Sequence, residues 1–303
     1  MLTQETASRI KSEIRGQVRF AEPMSLHTSF HIGGPADVLV VPADREDLRK
    51  VLSLAQEEKV PLTVIGNGSN LLVRDKGIRG IVLKLGNALK HWEQIGNNFI
   101  FDSGVSLAQC CRIIGEAGYT GMEFAVGIPG SLGGAVYMNA GAYDGEMKDT
   151  VVSVDVVTRT GDIMTLGRED LQFAYRHSAL QASDVIVLAV KLKVKEGDKT
   201  AIQAKMDDFS QRRISKQPLD MPSAGSTFKR PEGHFVGQMV EESGPKGFRI
   251  GGAEVSVKHA GFIVNADHAT AKDVLQLIEY IEKIIKKNYN VILVPEVLVL
   301  GEE

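Results

Sequence analysis

Cysteine is nearly absent from this 303-residue sequence. The two present, Cys110 and Cys111, are neighbours in a stretch with helical patterning, where adjacent side chains diverge. They form neither a disulfide framework nor a metal cluster, and they read as packing in a cytoplasmic protein. Excess charge is missing too. A net charge of −3 gives no electrostatic basis for a general affinity for nucleic acid or acidic membranes. No apolar run approaches the ~18 residues that a membrane span needs. The polar opening MLTQETASRIKSEIRG lacks the pattern of a signal peptide. Internal repeats and low-complexity segments are absent. Familiar motifs are missing as well: no Gly-Lys-Ser/Thr phosphate loop, no Gly-x-Ser-x-Gly elbow and no Ser/His/Asp order. His27 and His31 stand four apart, but Gly33, Gly34 and Pro35 argue against a helix there and no third ligand is near, so no metal site is expected.

Glycine is plentiful, and it is concentrated. The stretch GIPGSLGGAVYMNAGAYDG places glycines at 127, 130, 133, 134, 141 and 145, a pattern unlike an ordinary core helix or strand. Glycine serves where φ must be positive or where the backbone comes close to something else. A run this dense suggests a polyanion such as a pyrophosphate, held by main-chain N–H groups that no Cβ obstructs. A second glycine turn, Gly66-Asn67-Gly68-Ser69-Asn70, follows the apolar strand 62–65. A strand ending in such a turn is where backbone donors converge on a ligand. It is not a six-residue dinucleotide fingerprint, because Leu71-Leu72-Val73 leads away as another strand.

Length implies two or three domains. An amphipathic helix is expected over 3–15, a strand over 37–41, and a helix capped by Asp44 with Leu48, Val51, Leu52 and Ala55 on one face. Strands follow near 80–85 and 98–102, then a helix capped by 103–106 and ended by Gly118. After the glycine stretch come strands 151–159 and 163–166 around the turn Thr160-Gly161-Asp162, and a long strand 184–194. The pattern changes near 197–205, where a polar helix over 199–214 opens a new part. Further helices are expected over 234–243 and 271–288, the latter capped by Thr270 with Val274, Ile278, Ile281 and Ile285 inward. Short strands are read at 253–257 and 261–264, and two apolar runs, 291–294 and 297–300, flank Pro295-Glu296. The class is α+β.

Several residues could carry chemistry. Glu296 lies in VILVPEVLVLG. It is either a strand-edge residue facing water or a positioned acid with a raised pKa. Tyr175-Arg176 sits among aromatic and small residues, as a surface ion pair or as a fork for a carboxylate or phosphate. Ser226, in Ala-Gly-Ser-Thr-Phe-Lys, is a turn serine or a proton donor to carbon. Lys205, Arg212, Arg213, Lys216, Lys229 and Arg230 make the last third locally basic, as a solvated face or a contact for a diphosphate.

These residues also carry a resemblance. GNGSNLL at 66–72, GIPGSLGGAVYMNAGAY at 127–143, YRHS at 175–178, PSAGSTFKRP at 222–231, IGGAEVS at 250–256 and PEV at 295–297 resemble the UDP-N-acetylenolpyruvoylglucosamine reductases, flavoenzymes of peptidoglycan synthesis. Six motifs in order along nearly the whole chain are far more specific than any one. The resemblance implies a two-part FAD-binding fold of the vanillyl-alcohol-oxidase type and a third, substrate-binding domain. The divisions would be 1–85 with 295–303, then 86–200, then 201–294. It implies FAD as bound cofactor, held by Gly66, Asn67, Gly68, Ser69 and Asn70 and by Gly127, Ile128, Pro129, Gly130, Ser131, Gly133 and Gly134. NADPH would be co-substrate and a UDP-sugar the substrate. A hydride would pass from flavin N5 to the vinyl carbon, with Ser226 protonating the neighbouring carbon and Arg176 and Glu296 near the substrate carboxylate. Lys229, a candidate to polarise Ser226, would join Tyr175, Lys216, Arg230 and Lys246 in gripping the substrate or NADPH phosphates. The chain resembles the shorter form of the family, without an inserted tyrosine loop; the sequence carries no signal of oligomeric state, and a monomer is favoured. An FAD oxidase of the same fold is the alternative.

Overall fold

The computed structural model describes residues 2–86 and 89–303. The chain forms two compact units, one of Met1–Phe20, Val38–Asn67 and Gly80–Arg213, the other of Ala21–Asp37, Gly68–Arg79 and Ile214–Glu303.

The first unit holds two layered cores. In one, the helix Arg45–Glu57 starts where the Asp44 carboxylate accepts the Asp47 N–H, the cap its sequence implied. The helix buries Leu48, Val51, Leu52 and Ala55 with Val38, Val40, Ile81 and Leu83. The last four belong to a sheet ordered Gln17–Pro23, Pro35–Val41, Ile78–Lys84, Leu62–Ile65. Its final pair is parallel, with Leu62 opposite Ile81 and Ile65 opposite Lys84. The other core lies on a five-stranded antiparallel sheet, ordered Ile163–Gly167, Val151–Thr158, Val185–Lys193, Asn98–Asp102, Trp92–Ile95. Phe99, Phe101, Val154 and Val190 pack there with Leu107, Cys110, Cys111 and Ile114 of the helix Leu107–Glu116. Both cysteines are buried free thiols, and Cys111 Sγ lies 3.4 Å from Met206 Sδ.

In the second unit the helix Ala271–Tyr289 starts at a reciprocal cap between Thr270 and Asp273. It buries Val274, Ile278, Ile281 and Ile285 with Ala253, Val255 and Ile263. Those three come from the antiparallel sheet Arg249–Ile250, Ala253–Val255, Ile263–Asn265. The last strand, Leu298–Leu300, pairs in parallel with Leu71–Val73.

Four features differ from the sequence reading. Strands Gln17–Pro23 and Trp92–Ile95 were not expected; the first is mostly exposed, with only Val18 and Phe20 alternating on one face, and the second is wholly exposed. Residues 291–294 are not a strand: Asn290, at φ 56°, ends the preceding helix, and the segment's pairing is the single bridge of Pro295 with Phe228. The glycine stretch contains a helix, Leu132–Tyr137, capped by Ser131 and burying Leu132, Ala135 and Val136. The helix Lys199–Lys216 buries Ile202 and Met206 in the first unit's core. The two compact units divide in its last turn, between Arg213 and Ile214.

Candidate active site

Gly66, which opens the first glycine loop, and Ser131 of the second meet within the first unit. A Cβ on Gly66 would overlap the Ser131 hydroxyl. The second loop is pinned from behind: Leu107 N–H donates to Gly130 O (3.0 Å), Leu132 N–H to Val105 O (2.8 Å) and Gly133 N–H to Ser103 O (2.9 Å). Ser131 Oγ accepts the Gly134 N–H. Other donors of the loops are left over. Among the described residues, the N–H groups of Gly66, Asn67, Gly68, Ser69 and Asn70, and of Gly127, Gly130 and Ser131, reach no protein acceptor. Unspent main-chain donors without side chains in front of them suit a polyanion. Gly127 lies beside Arg213, whose Cδ would be 2.8 Å from an added Cβ. Burial lowers the Arg213 pKa, with Tyr143 opposing. The sequence reading listed Arg213 only as part of a basic run; nothing local separates it from the exposed Arg212, which pairs with Asp208.

Arg176 is carried by a two-residue turn in the first unit. Ala174 and His177 exchange both main-chain hydrogen bonds, at 3.1 Å each, and leave Tyr175 and Arg176 at the tip. Arg176 is left-handed, at φ 52°. Its Nη2 donates to Gly141 O at 2.9 Å, and its guanidinium lies 4.9 Å from the Tyr175 ring centroid. The turn is tied to the helix Leu132–Tyr137 by Ser178 Oγ, which donates to Tyr137 O at 2.7 Å.

Ser226 and Glu296 are in the second unit, and the main chain brings them together across 70 residues of sequence. Glu296 N–H donates to Thr227 O, and Lys229 N–H to Val294 O, both at 2.8 Å. Thr227 is buried: its N–H donates to Gly261 O at 2.9 Å and its Oγ1 accepts the Ile263 N–H at 3.1 Å. The residue after Ser226 is thus fixed, while Ser226 itself is exposed. Asn70 holds the other side of Glu296, with Nδ2 donating to Glu296 O at 3.0 Å. Expected as a cofactor-loop residue, Asn70 uses its side chain on the acid's backbone.

The remaining candidates are dispersed. Tyr175 is exposed at its turn, and Lys216 is exposed at the end of its helix. Lys229 is half-buried, Arg230 stacks over Phe235 at 3.9 Å, and Lys246 pairs with Glu241 at 2.7 Å. Lys216 and Lys246 both act electrostatically on His259, which the sequence reading did not single out.

Residues 36–167 match the family model described as an FAD binding domain. The chain shares its fold with an alkyldihydroxyacetonephosphate synthase over 65% of its length (TM-score 0.50, 16% identity, 41% of that chain). The class is an FAD-dependent oxidoreductase with an α+β fold. Residues 217–300 match the C-terminal domain of UDP-N-acetylenolpyruvoylglucosamine reductase. A reductase of that name from Caldanaerobacter subterraneus subsp. tengcongensis is 48% identical, covering 95% of both chains. One from Geobacillus thermodenitrificans is 49% identical, covering 93% of this chain and 92% of the other. The crystal structure of the reductase from Thermus caldophilus superposes with a TM-score of 0.78 at 34% identity, over 95% of this chain and all of that one. The chain belongs to the UDP-N-acetylenolpyruvoylglucosamine reductase family.

Proposed function

We propose that the chain reduces UDP-N-acetylglucosamine enolpyruvate to UDP-N-acetylmuramate, using NADPH and FAD, in peptidoglycan precursor synthesis. Family membership over 95% of the chain carries this reading. The residues fit the flavin: two abutting glycine loops present N–H groups without protein acceptors, and a Cβ on Gly66 would fill the space between the loops. Gly66–Asn70 and Gly127–Gly134 would hold the pyrophosphate and adenosine side. Hydride transfer from NADPH to the substrate's vinyl carbon is the chemistry that a bound FAD would supply.

The protein's own residues do the rest. Arg176, fixed on its short turn, would counter the negative charge that grows on the substrate carboxylate. Glu296 would hydrogen-bond the same group in its protonated form. Ser226 would donate the proton to carbon, a step that needs an acid placed in advance. Its exposed hydroxyl on a backbone fixed through Thr227 supports that role. Lys229 would polarise it, and Tyr175, Lys216, Arg230 and Lys246 would grip phosphates. The functional division we favour keeps FAD binding in 1–85 with 295–303 and in 86–200, and substrate binding in 201–294. The setting is cytoplasmic, as a monomer, in a pathway on which cell shape and division depend.

The test is an absorption spectrum under anaerobic conditions. NADPH should bleach the flavin bands, and the enolpyruvyl substrate should restore them. Ser226→Ala should bleach normally and recover at least ~10²-fold more slowly. Recovery with oxygen in place of substrate would identify an oxidase of the same fold. A protein that cannot be loaded with FAD would sink the reading of both loops.

A further inference from the structure

One residue outside the proposed contacts organises the Arg176 turn. Asn139 is fully buried, and it follows the helix Leu132–Tyr137 in a left-handed conformation, φ 44°. Its Nδ2 donates to Ala174 O at 2.9 Å and to Glu146 Oε2 at 3.1 Å. Its Oδ1 accepts the Lys148 N–H at 2.9 Å. Ala174 opens the turn that carries Arg176, and Gly141, two residues beyond Asn139, accepts the Arg176 guanidinium bond. One amide therefore ties the turn's first residue to the segment that holds the guanidinium. It needs two donors and an acceptor from one planar group, which a carboxylate of the same shape does not have.

We propose that Asn139 is a positioning residue for Arg176, setting where the guanidinium stands without itself touching substrate. This rests on the reading of Arg176 as the partner of the substrate carboxylate. Asn139→Asp keeps the shape, removes both donors, leaves Ala174 O with the His177 N–H alone and sets a second carboxylate against Glu146. A displacement of about 1 Å in a reacting constellation costs on the order of 10²-fold in rate.

The experiment is a double-mutant cycle on the FAD-loaded enzyme, with Asn139→Asp, Arg176→Ala and the pair. Asn139→Asp should lower kcat about tenfold to a hundredfold. Flavin content and the rate of bleaching by NADPH should stay at the wild-type level. In the Arg176→Ala background the same change should cost less than about twofold, because its route of action is gone. Additive losses in the double variant would overturn the proposal, as would flavin content and melting temperature falling in step with kcat. If Asn139→Asp does not fold, Gln181→Leu enters the same cycle and is judged by the same outcomes. It deletes Nε2–H bonds to Arg176 O at 3.3 Å and Tyr137 O at 3.0 Å. Arg176→Ala with wild-type turnover would instead sink the role of Arg176, whereas an additive cycle on a crippled Arg176→Ala would sink only the positioning.

Discussion

The two glycine loops look alike in sequence and use their glycines differently. In the first, Gly68 is left-handed, at φ 70°, and a Cβ on it would overlap the His27 carbonyl oxygen. In the second, Gly127, Gly133, Gly134, Gly141 and Gly145 all avoid the left-handed region. What they need is room. Added Cβ atoms would lie 2.8 Å from Arg213 Cδ at Gly127, 2.9 Å from Ser103 Cβ at Gly133 and 2.7 Å from the Phe124 ring at Gly145. The first loop is thus bent by glycine, while the second is packed by it. Glycine content therefore signals close approach as often as it signals a turn, and the two cases respond differently to a methyl group.

Gly68→Ala should give the largest effect. It combines the left-handed penalty with a collision against backbone that has no side-chain freedom to yield. The sum is roughly 3 kcal/mol of lost stability. Thermal unfolding with a count of bound flavin measures it, and a variant within about 0.5 kcal/mol of wild type would show that the turn is not held by this glycine.

Gly66→Ala should be milder and conditional. The obstacle is one atom, Ser131 Oγ, and the next neighbour, Ser131 Cβ, is at an ordinary 3.5 Å. Alone, the change should cost about 1–3 kcal/mol. Ser131→Ala loses a helix cap, at about 1 kcal/mol, but it clears the space. The double variant should then be about as stable as Ser131→Ala alone. Strictly additive losses would mean that the loops do not meet at this hydroxyl.

How far the sequence spoke follows the same division. Helices with a capping side chain and an apolar stripe were legible, as at Asp44, Ser106 and Thr270. The helix Leu132–Tyr137 was hidden, although Ser131 caps it and Leu132, Ala135 and Val136 share a buried face, because two interior glycines lower its apparent propensity. The strand Trp92–Ile95 gave no alternation, since all four residues are exposed. Motifs singled out the glycine loops, Arg176, Ser226 and Glu296 as candidates. The bridge joining Phe228 to Pro295 was not legible, because no local pattern encodes a pairing that distant. Asn139 was invisible for another reason: an asparagine between Met138 and Ala140 reads as a turn residue until its three partners are known.

The second unit offers a third use of glycine, and the smallest effect. Gly237 and Gly261 flank the His259 ring, whose Cε1 would be 3.0 and 2.9 Å from their added Cβ atoms. That packing buries the ring, and burial lowers its pKa below the ordinary 6.5; Lys246 and Lys216 act the same way, while its own backbone hydrogen bond and Glu241 oppose. Nδ1 accepts the Gly261 N–H at 3.1 Å, a bond that protonation at that nitrogen would break. As pH falls below about 6.5, the unfolded chain takes up the proton first, so the stability contributed by neutral His259 is present above that pH and is lost on acidification. Carboxylates held below their usual range, among them Glu242 and Asp273, stabilise the fold throughout this window and lose that contribution only at more acidic pH. Denaturant unfolding of the FAD-loaded protein at about pH 7.5 and about pH 5.5 should show a loss in wild type that His259→Gln reduces. An identical loss in both proteins would mean that the glycines leave the ring as well hydrated as it is in the unfolded chain.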